Sequence, residues 1–420
     1  MKKKWLKTLC LALACVMCGS FSACGEGESN EIISEIIDSI SSELDNSSTD
    51  DSSTEDSSED SSDLDDPKED SSLEDSSEDS SEESSNDESL EDASAESSND
   101  DSADEEKETS ELSVHFLQLG NKISGDCTLI KTGNTEVLID AGSTTGSIGT
   151  IVPYIKQYCT DGVLEYVIAT HAHQDHIAGF TNSSSQGKGI FESFTCETII
   201  DFPKTTISTN LYNEYTALRD AEVQAGATHY TALECWNNAN GAQRSYDLAD
   251  GITLNILYQK YYEENTSNEN NNSVCVMVSQ EENHYLFTGD LESGGEASLL
   301  ANNKLPKCKV FKSAHHGSNT SNSNTLLSVI QPEIVVFTCC CGDKFNFPHQ
   351  ETINTVALYT SQVYALGIVN TSDIYQLLNG NVVITSTDGK TASVQCSNSN
   401  TLFKDTDWFK KNRTTPESWK

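Results

Sequence analysis

THAHQDHIAGF, residues 170–180, places three of the chain's nine histidines and an aspartate within six residues. A lone loop histidine is usually solvated, but this spacing is different. His171 and His173, at i and i+2 of an extended loop, can turn both imidazoles toward one cation, while Asp175 and His176 reach a second ion beside it. The motif follows VLEYVIAT, an apolar run that reads as a strand, so these groups belong at a strand's carboxyl end.

The same punctuation recurs along the chain. VLIDAG (Val137–Gly142) ends in an aspartate and a glycine, and IGTIVPYIKQYC after it is amphipathic and predicts a helix. HYLFT ends at Gly289-Asp290, KVFKSA at HHGS (His315–Ser318), and IVVFT at CCCGDKFNFPH. In sheets covered by helices, strand carboxyl ends open into one crevice, where residues remote in sequence converge. The expected result is a two-cation centre in which Asp290 bridges and His315 or His316 closes the second site. Two ions about 3.5–4 Å apart hold a bridging hydroxide at neutral pH and clamp attacking and leaving oxygens, which is hydrolytic chemistry.

Composition divides the chain. MKKKWLKTLCLALACVMCGSFSAC has four lysines, an apolar core from Leu9 to Met17 and small residues before Cys24, the order of an export signal. FSAC followed by Gly25 resembles a lipobox, which makes Cys24 the expected lipidation site and residues 1–24 a lipoprotein signal peptide. Residues 25–110 are a Ser/Asp/Glu-rich linker. Between Glu26 and Ser110 there are 35 acidic residues against two lysines and no aromatic residue. Ordering such a segment costs entropy that no apolar burial offsets, so the expectation is a disordered acidic stalk.

Of the total charge of −42, the leader contributes +4 and the stalk −33, leaving −13 for residues 111–420. That acidity disfavours unspecific gripping of duplex DNA, which calls for a basic footprint. Lys304, Lys307, Lys309 and Lys312, on the approach to HHGS, are the candidates for a local basic groove; a solvated edge is the plainer expectation. Ten of the fourteen cysteines fall in this region without zinc-finger spacing and read mostly as small core residues.

Taken together, THAHQDHIAGF, NNNSVCVMV, LFTGDLE, FKSAHHGSNTS and FNFPHQE, after HFLQLG, GDCTLI and VLIDAG, resemble the metallo-β-lactamase superfamily, and within it the hydrolase domain of ComEC-type competence proteins. The resemblance implies an αββα sandwich over residues 111–398, followed by a C-terminal tail, 399–420, and two divalent cations, zinc or manganese. By the same resemblance His171 and His173 hold the first ion, Asp175 and His176 the second, Asp290 bridges, His316 is the last ligand, and His315 faces substrate. Asp140 orients the motif loop through hydrogen bonds. Three positions depart from the family pattern. Asn271 stands where the wider superfamily supplies another histidine; Phe347 precedes Pro348, with the histidine displaced to His349; and the opening strand carries QLGNKISGD with Gln118 and extra residues. Asn271, Ser318 and His349 are therefore expected at the substrate, and Asp175, Asp290 and His315 in the reaction itself.

These readings predict an exported, lipid-anchored metallo-hydrolase on the outer face of a bacterial cytoplasmic membrane, a monomer. Its expected substrate contains a phosphodiester, as in nucleic acid, a wall polymer or a small phosphoester. The alternative is a surface-displayed binding module that keeps the fold without turnover. The branch resembled implies no useful hydrolysis of β-lactams.

Overall fold

A computed structural model describes residues 109–420, so the leader with Cys24 and nearly all of the acidic stretch lie outside the described residues. Two eight-stranded sheets account for the architecture. The first is built from β1 (Leu112–Phe116), β2 (Asp126–Thr132), β3 (Thr135–Gly142), β4 (Val163–Ile168), β5 (Thr195–Asp201) and β6 (Thr228–Thr231). The second takes β7 (Ser245–Ala249), β8 (Ile252–Leu257), β9 (Cys275–Gln280), β10 (Asn283–Phe287), β11 (Val310–Lys312), β12 (Ile334–Cys341), β13 (Gln362–Val369) and β14 (Tyr375–Leu377). The chain then returns to the first sheet as β15 (Val382–Ser386) and β16 (Ser393–Cys396), with β15 antiparallel to β1. The strand orders are β16-β15-β1-β2-β3-β4-β5-β6 and β14-β13-β12-β11-β10-β9-β8-β7.

Side-chain alternation explains why the sheets stack. In β9, Val276 and Val278 point into the larger core while Cys275 and Met277 point into a second one; β12 divides Ile334 and Val336 from Val335 and Phe337 in the same way. Strands apolar on both faces must be covered on both. Between the sheets, Phe116 of β1 and Phe287 of β10 meet with ring centroids 6.1 Å apart. Outside the first sheet, the predicted helix forms over Ile148–Tyr158 and buries Ile148, Ile151, Val152 and Ile155. Outside the second, the helices Ser293–Asn302, Asn324–Ile330 and Gln350–Val356 bury Leu299, Leu326, Leu327, Ile330, Ile353 and Val356. This is the αββα sandwich.

Residues 399–420, expected as a tail, are packed instead. Phe403, Phe409 and Trp419 join the second core, and the Trp419 indole donates to the Thr360 carbonyl at 2.8 Å. TLFKDTDWF carries enough aromatic surface to anchor itself on the second core. All ten cysteines of the described region are buried free thiols.

The fold positions the site through its parallel strands. β3, β4, β5 and β6 run parallel in the first sheet, and β10, β11, β12 and β13 in the second. The carboxyl ends of β3, β4, β10 and β11 lead into Asp140, Thr170-His171, Asp290 and His315-His316.

Candidate metal centre

Asp290 is the meeting point. Its Oδ2 lies 3.1 Å from His176 Nε2, 3.4 Å from His316 Nε2, 3.8 Å from His315 Nε2 and 3.9 Å from His171 Nε2. His316 Nε2 is also 3.5 Å from Asp175 Oδ2, and His171 Nε2 faces His173 Nδ1 at 3.0 Å. His171, His176 and His316 therefore stand around one carboxylate, with Asp175 beside His316 and His173 beside His171.

Two observations test whether these groups suit a cation. Donors about 2.1 Å from a tetrahedral ion stand about 3.4 Å from one another, and the contacts Asp290–His176, Asp290–His316 and His316–Asp175, at 3.1, 3.4 and 3.5 Å, are close to that length. Asp290 Oδ1, His176 Nε2 and His316 Nε2 are moreover buried without a well-aligned hydrogen bond, a costly arrangement unless something else satisfies them. Asp175, His176, Asp290 and His316 thus form a group able to hold a divalent ion. His171 and His173 supply a second pair of nitrogens beside it.

Each imidazole is aimed by what grips its far side. Asp140, held with φ +57°, accepts from the Thr170 N–H at 2.7 Å, the Thr170 hydroxyl at 2.8 Å and His176 Nδ1 at 2.8 Å, and so turns His176 Nε2 to Asp290. His171 Nδ1 lies 3.2 Å from Thr170 Oγ1 and 3.4 Å from Ser273 Oγ, and that serine also accepts the Asp290 N–H at 3.0 Å. Glu269, buried, accepts from the Ala172 N–H at 3.0 Å and braces the motif loop. His316 Nδ1 donates to the Thr338 carbonyl at 3.1 Å and lies 3.3 Å from Asp126 Oδ1.

His315 and His316 sit side by side in the left-handed region, φ +49° and +53°. For side chains other than glycine each such residue costs about 1–3 kcal/mol and must be held by its surroundings. Asn322 supplies the hold. Its Oδ1 accepts from Ala314 N–H and Ser313 Oγ–H at 2.9 and 2.8 Å, and its Nδ2 donates to the carbonyls of Ala314 and Ser318 at 2.9 and 3.0 Å. The turn directs His316 inward, fully buried, and leaves the His315 side chain 20 % exposed at the mouth.

Electrostatics follow from the crowding. Burial opposes a charge on His176 and on His316, but Asp290, with Asp140 for the first and Asp126 for the second, outweighs it and raises both pKa values well above the ordinary imidazole range. His171 moves the other way, depressed by burial and then by His176. Burial opposes the charge of Asp290 too, yet His176 and His316 hold its carboxyl well below the usual range.

The residues expected at the substrate are placed differently. The Asn271 side-chain oxygen accepts the Glu292 N–H at 3.3 Å, and Ser273, two residues on, is the one that reaches His171. The Ser318 hydroxyl lies within its own loop, 3.1 Å from Thr320 Oγ1. His349 accepts the Asn319 N–H on Nδ1 at 3.0 Å and has Nε2 3.1 Å from the Phe345 carbonyl. Phe347 is the residue of that loop that faces the centre, its ring 5.7 Å from His315 and 5.8 Å from His316. Of the four lysines named for a basic groove, Lys304 and Lys307 are exposed, but Lys309 and Lys312 are taken up by carboxylates. Lys312 is buried, with Nζ 2.6 Å from Asp126 Oδ2, and Lys309 pairs with Glu333 at 2.6 Å. Burial opposes the Lys312 charge, but Asp126 and then Asp290 outweigh it and raise its pKa.

Residues 120–185, which include the motif, match the family described as the Metallo-beta-lactamase superfamily. This chain carries a metallo-β-lactamase domain. It is similar to competence proteins as well: 26 % identical over 244 residues to Recombination protein 2 of Haemophilus influenzae, covering 57 % of this chain and 26 % of that protein. It is also 26 % identical over 233 residues to Competence protein ComA of Neisseria gonorrhoeae, covering 54 % and 27 %. The matched part is thus about a quarter of the length of these relatives. Among solved structures, the metallo-β-lactamase fold protein YhfI of Bacillus subtilis aligns at 12 % identity and TM-score 0.37, over 66 % of this chain and all of that one.

Proposed function

We propose that the chain is an exported metal-dependent hydrolase that cleaves phosphodiesters, with the metallo-β-lactamase domain as its catalytic unit. The observation that carries the reading is the convergence of four imidazoles and Asp175 on the shared carboxylate of Asp290. His171, His173, Asp175, His176, Asp290 and His316 would hold a pair of divalent cations, zinc or manganese, which would supply Lewis-acid polarisation and acidify water. The protein's part is placement. Asp175, with its side chain 29 % exposed, faces the mouth, where its carboxylate can accept a proton from attacking water. His315 stands across the mouth, 3.8 Å from Asp290, where it can contact the phosphoryl group or give a proton to the leaving oxygen. Phe347 walls the same side and keeps bulk water from the buried imidazoles.

The substrate is a phosphodiester in nucleic acid, a wall polymer or a small phosphoester. The domain's net acidity and the burial of Lys312 favour a substrate gripped at the cleaved group over one held along a long polyanion. The leader's composition supports export, with the lipid on Cys24 as anchor.

Metal analysis of the purified chain, followed by turnover of bis(p-nitrophenyl) phosphate, tests the reading. Bound metal is expected, and Asp290→Ala and Asp175→Ala should lower the rate at least about 100-fold, in the range for losing a group that stabilises developing charge. Metal-free protein, or variants as active as the parent, would defeat it. A binding module without turnover is the second reading, favoured by the engagement of Asn271 with Glu292 rather than with the first histidine pair; metal binding without hydrolysis is its signature.

A further inference from the structure

Behind His316, on the side away from the crevice, lies a charged group that metal binding does not use. Lys312 is the last residue of β11 and is 2 % exposed. Its ammonium meets the fold at three points: an ion pair with Asp126 Oδ2 at 2.6 Å and hydrogen bonds to the carbonyl acceptors of Gly289 at 3.2 Å and Ser313 at 3.3 Å. Those partners come from separate parts of the centre. Gly289 immediately precedes Asp290, Ser313 opens the left-handed turn that carries His315 and His316, and Asp126 belongs to β2 of the opposite sheet. A lysine on a strand approaching a phosphodiester site would ordinarily face solvent and substrate. This one points inward, and its charge is held by the scaffold.

Asp126 shows what the ammonium controls. Its Oδ1 is 3.3 Å from His316 Nδ1, while its Oδ2 is 3.7 Å from His176 Nδ1, the nitrogen that Asp140 already engages at 2.8 Å. Asp126, Asp140 and His176 by themselves form a group able to hold a cation. With Lys312 against Oδ2, Asp126 is held with its Oδ1 beside His316 Nδ1, whose proton goes to the Thr338 carbonyl, and the place where a cation would compete is taken by a fixed ammonium. We propose that Lys312 is a positioning residue of the metal centre: by pinning Asp126, Gly289 and Ser313 together it aims His316 and Asp290 at the shared cation position and keeps Asp126 from becoming a ligand. The inference rests on the metallo-hydrolase reading above and deepens it.

Lysine's point charge and arginine's planar fork are not equivalent at such a position, which allows a test that keeps the charge. The full chain, stripped of metal, is titrated with Mn2+ by calorimetry and with Co2+ by visible absorption, for the parent, Lys312→Arg, Lys312→Met and the double variant Lys312→Met/Asp126→Asn. Groups that orient metal ligands typically contribute ten- to hundred-fold in affinity. Lys312→Arg is accordingly expected to fold, bind Mn2+ roughly ten- to hundred-fold more weakly and give an altered Co2+ spectrum. The double variant removes both charges, leaves an amide oxygen for His316, and should bind more tightly than Lys312→Met. If Lys312→Met does not fold, Lys312→Arg and the double variant carry the comparison. Parent-like affinities and spectra in those two would overturn the inference while leaving the metallo-hydrolase reading intact. A parent chain that takes up neither ion would overturn both.

Discussion

At the level of single residues, the ligands and the groups that hold them differ in how visible they are. His171, His173, Asp175 and His176 are legible because their spacing is local and the residue types are rare together. Asp126, Glu269, Ser273 and Lys312 escape because each acts across tens to hundreds of residues, and Asn322, though close to its partners, because each of these residues looks ordinary in its own stretch. Lys312 is the sharpest case, since KVFKSA reads as part of a solvated edge, and the ion pair with Asp126 from the other sheet becomes visible only in the fold. Asn322 shows why such residues matter. Four hydrogen bonds from one buried side chain hold two adjacent left-handed histidines. Asn322→Ala leaves buried partners unsatisfied at about 1–3 kcal/mol each, so a loss of roughly 3 kcal/mol is expected in urea unfolding of the metal-free protein. Asn322→Asp should fare little better, because the donors to Ala314 and Ser318 are gone. Either variant unfolding at the parent's midpoint would show that the turn is held by other means.

At the level of elements, the sequence announced the strands that end in ligands, and they lie where the apolar runs put them. It also announced the helix after VLIDAG, found at Ile148–Tyr158. Burial of apolar runs on both faces forces strands into the middle of a covered sheet, so those runs were informative. The C-terminal segment was not, because its aromatics are spread among lysines and aspartates and their burial depends on a surface built by distant strands. IAGF at the end of the motif has an element-scale role that its spacing does not state. Gly179 sits in a turn pressed on β3, where an added Cβ would lie 2.2 Å from the Ala141 carbonyl oxygen and 2.8 Å from Ile151 Cδ1. The contact is with backbone, so the turn rather than a flexible tip must move. Gly179→Ala is expected to lower stability by about 1–3 kcal/mol, the usual range for overpacking. It should also weaken Mn2+ binding, since the displaced turn, Ala178–Phe180, follows directly on Gln174–Ile177, which carries His176. Unchanged melting temperature and affinity would mean that the turn shifts without carrying the ligand along.

For the molecule as a whole, the reading of an exported protein has to be reconciled with ten free thiols in its folded part. Disulfides are common in oxidising compartments, and Cys339 and Cys341 stand with their sulfurs only 3.5 Å apart. Burial reconciles the two. The reactive species is the thiolate, and desolvation raises the thiol pKa of Cys159, Cys235 and Cys396 to about 11 and that of Cys308 to about 12. Cys127 and Cys339 are pushed up further by the same cause. Packing therefore protects these residues in place of crosslinks, and the fold's stability comes from its two cores. The measurable consequence is that melting temperature should not change with reductant. Maleimide at neutral pH, with peptide mapping, should leave the cysteines between Cys127 and Cys396 unmodified in the native chain and modify all ten in guanidinium. Rapid native labelling at several of these positions would place them at the surface and require a different account of what holds the sandwich together. A large drop in melting temperature on adding reductant would show that disulfides form where the structure has thiols.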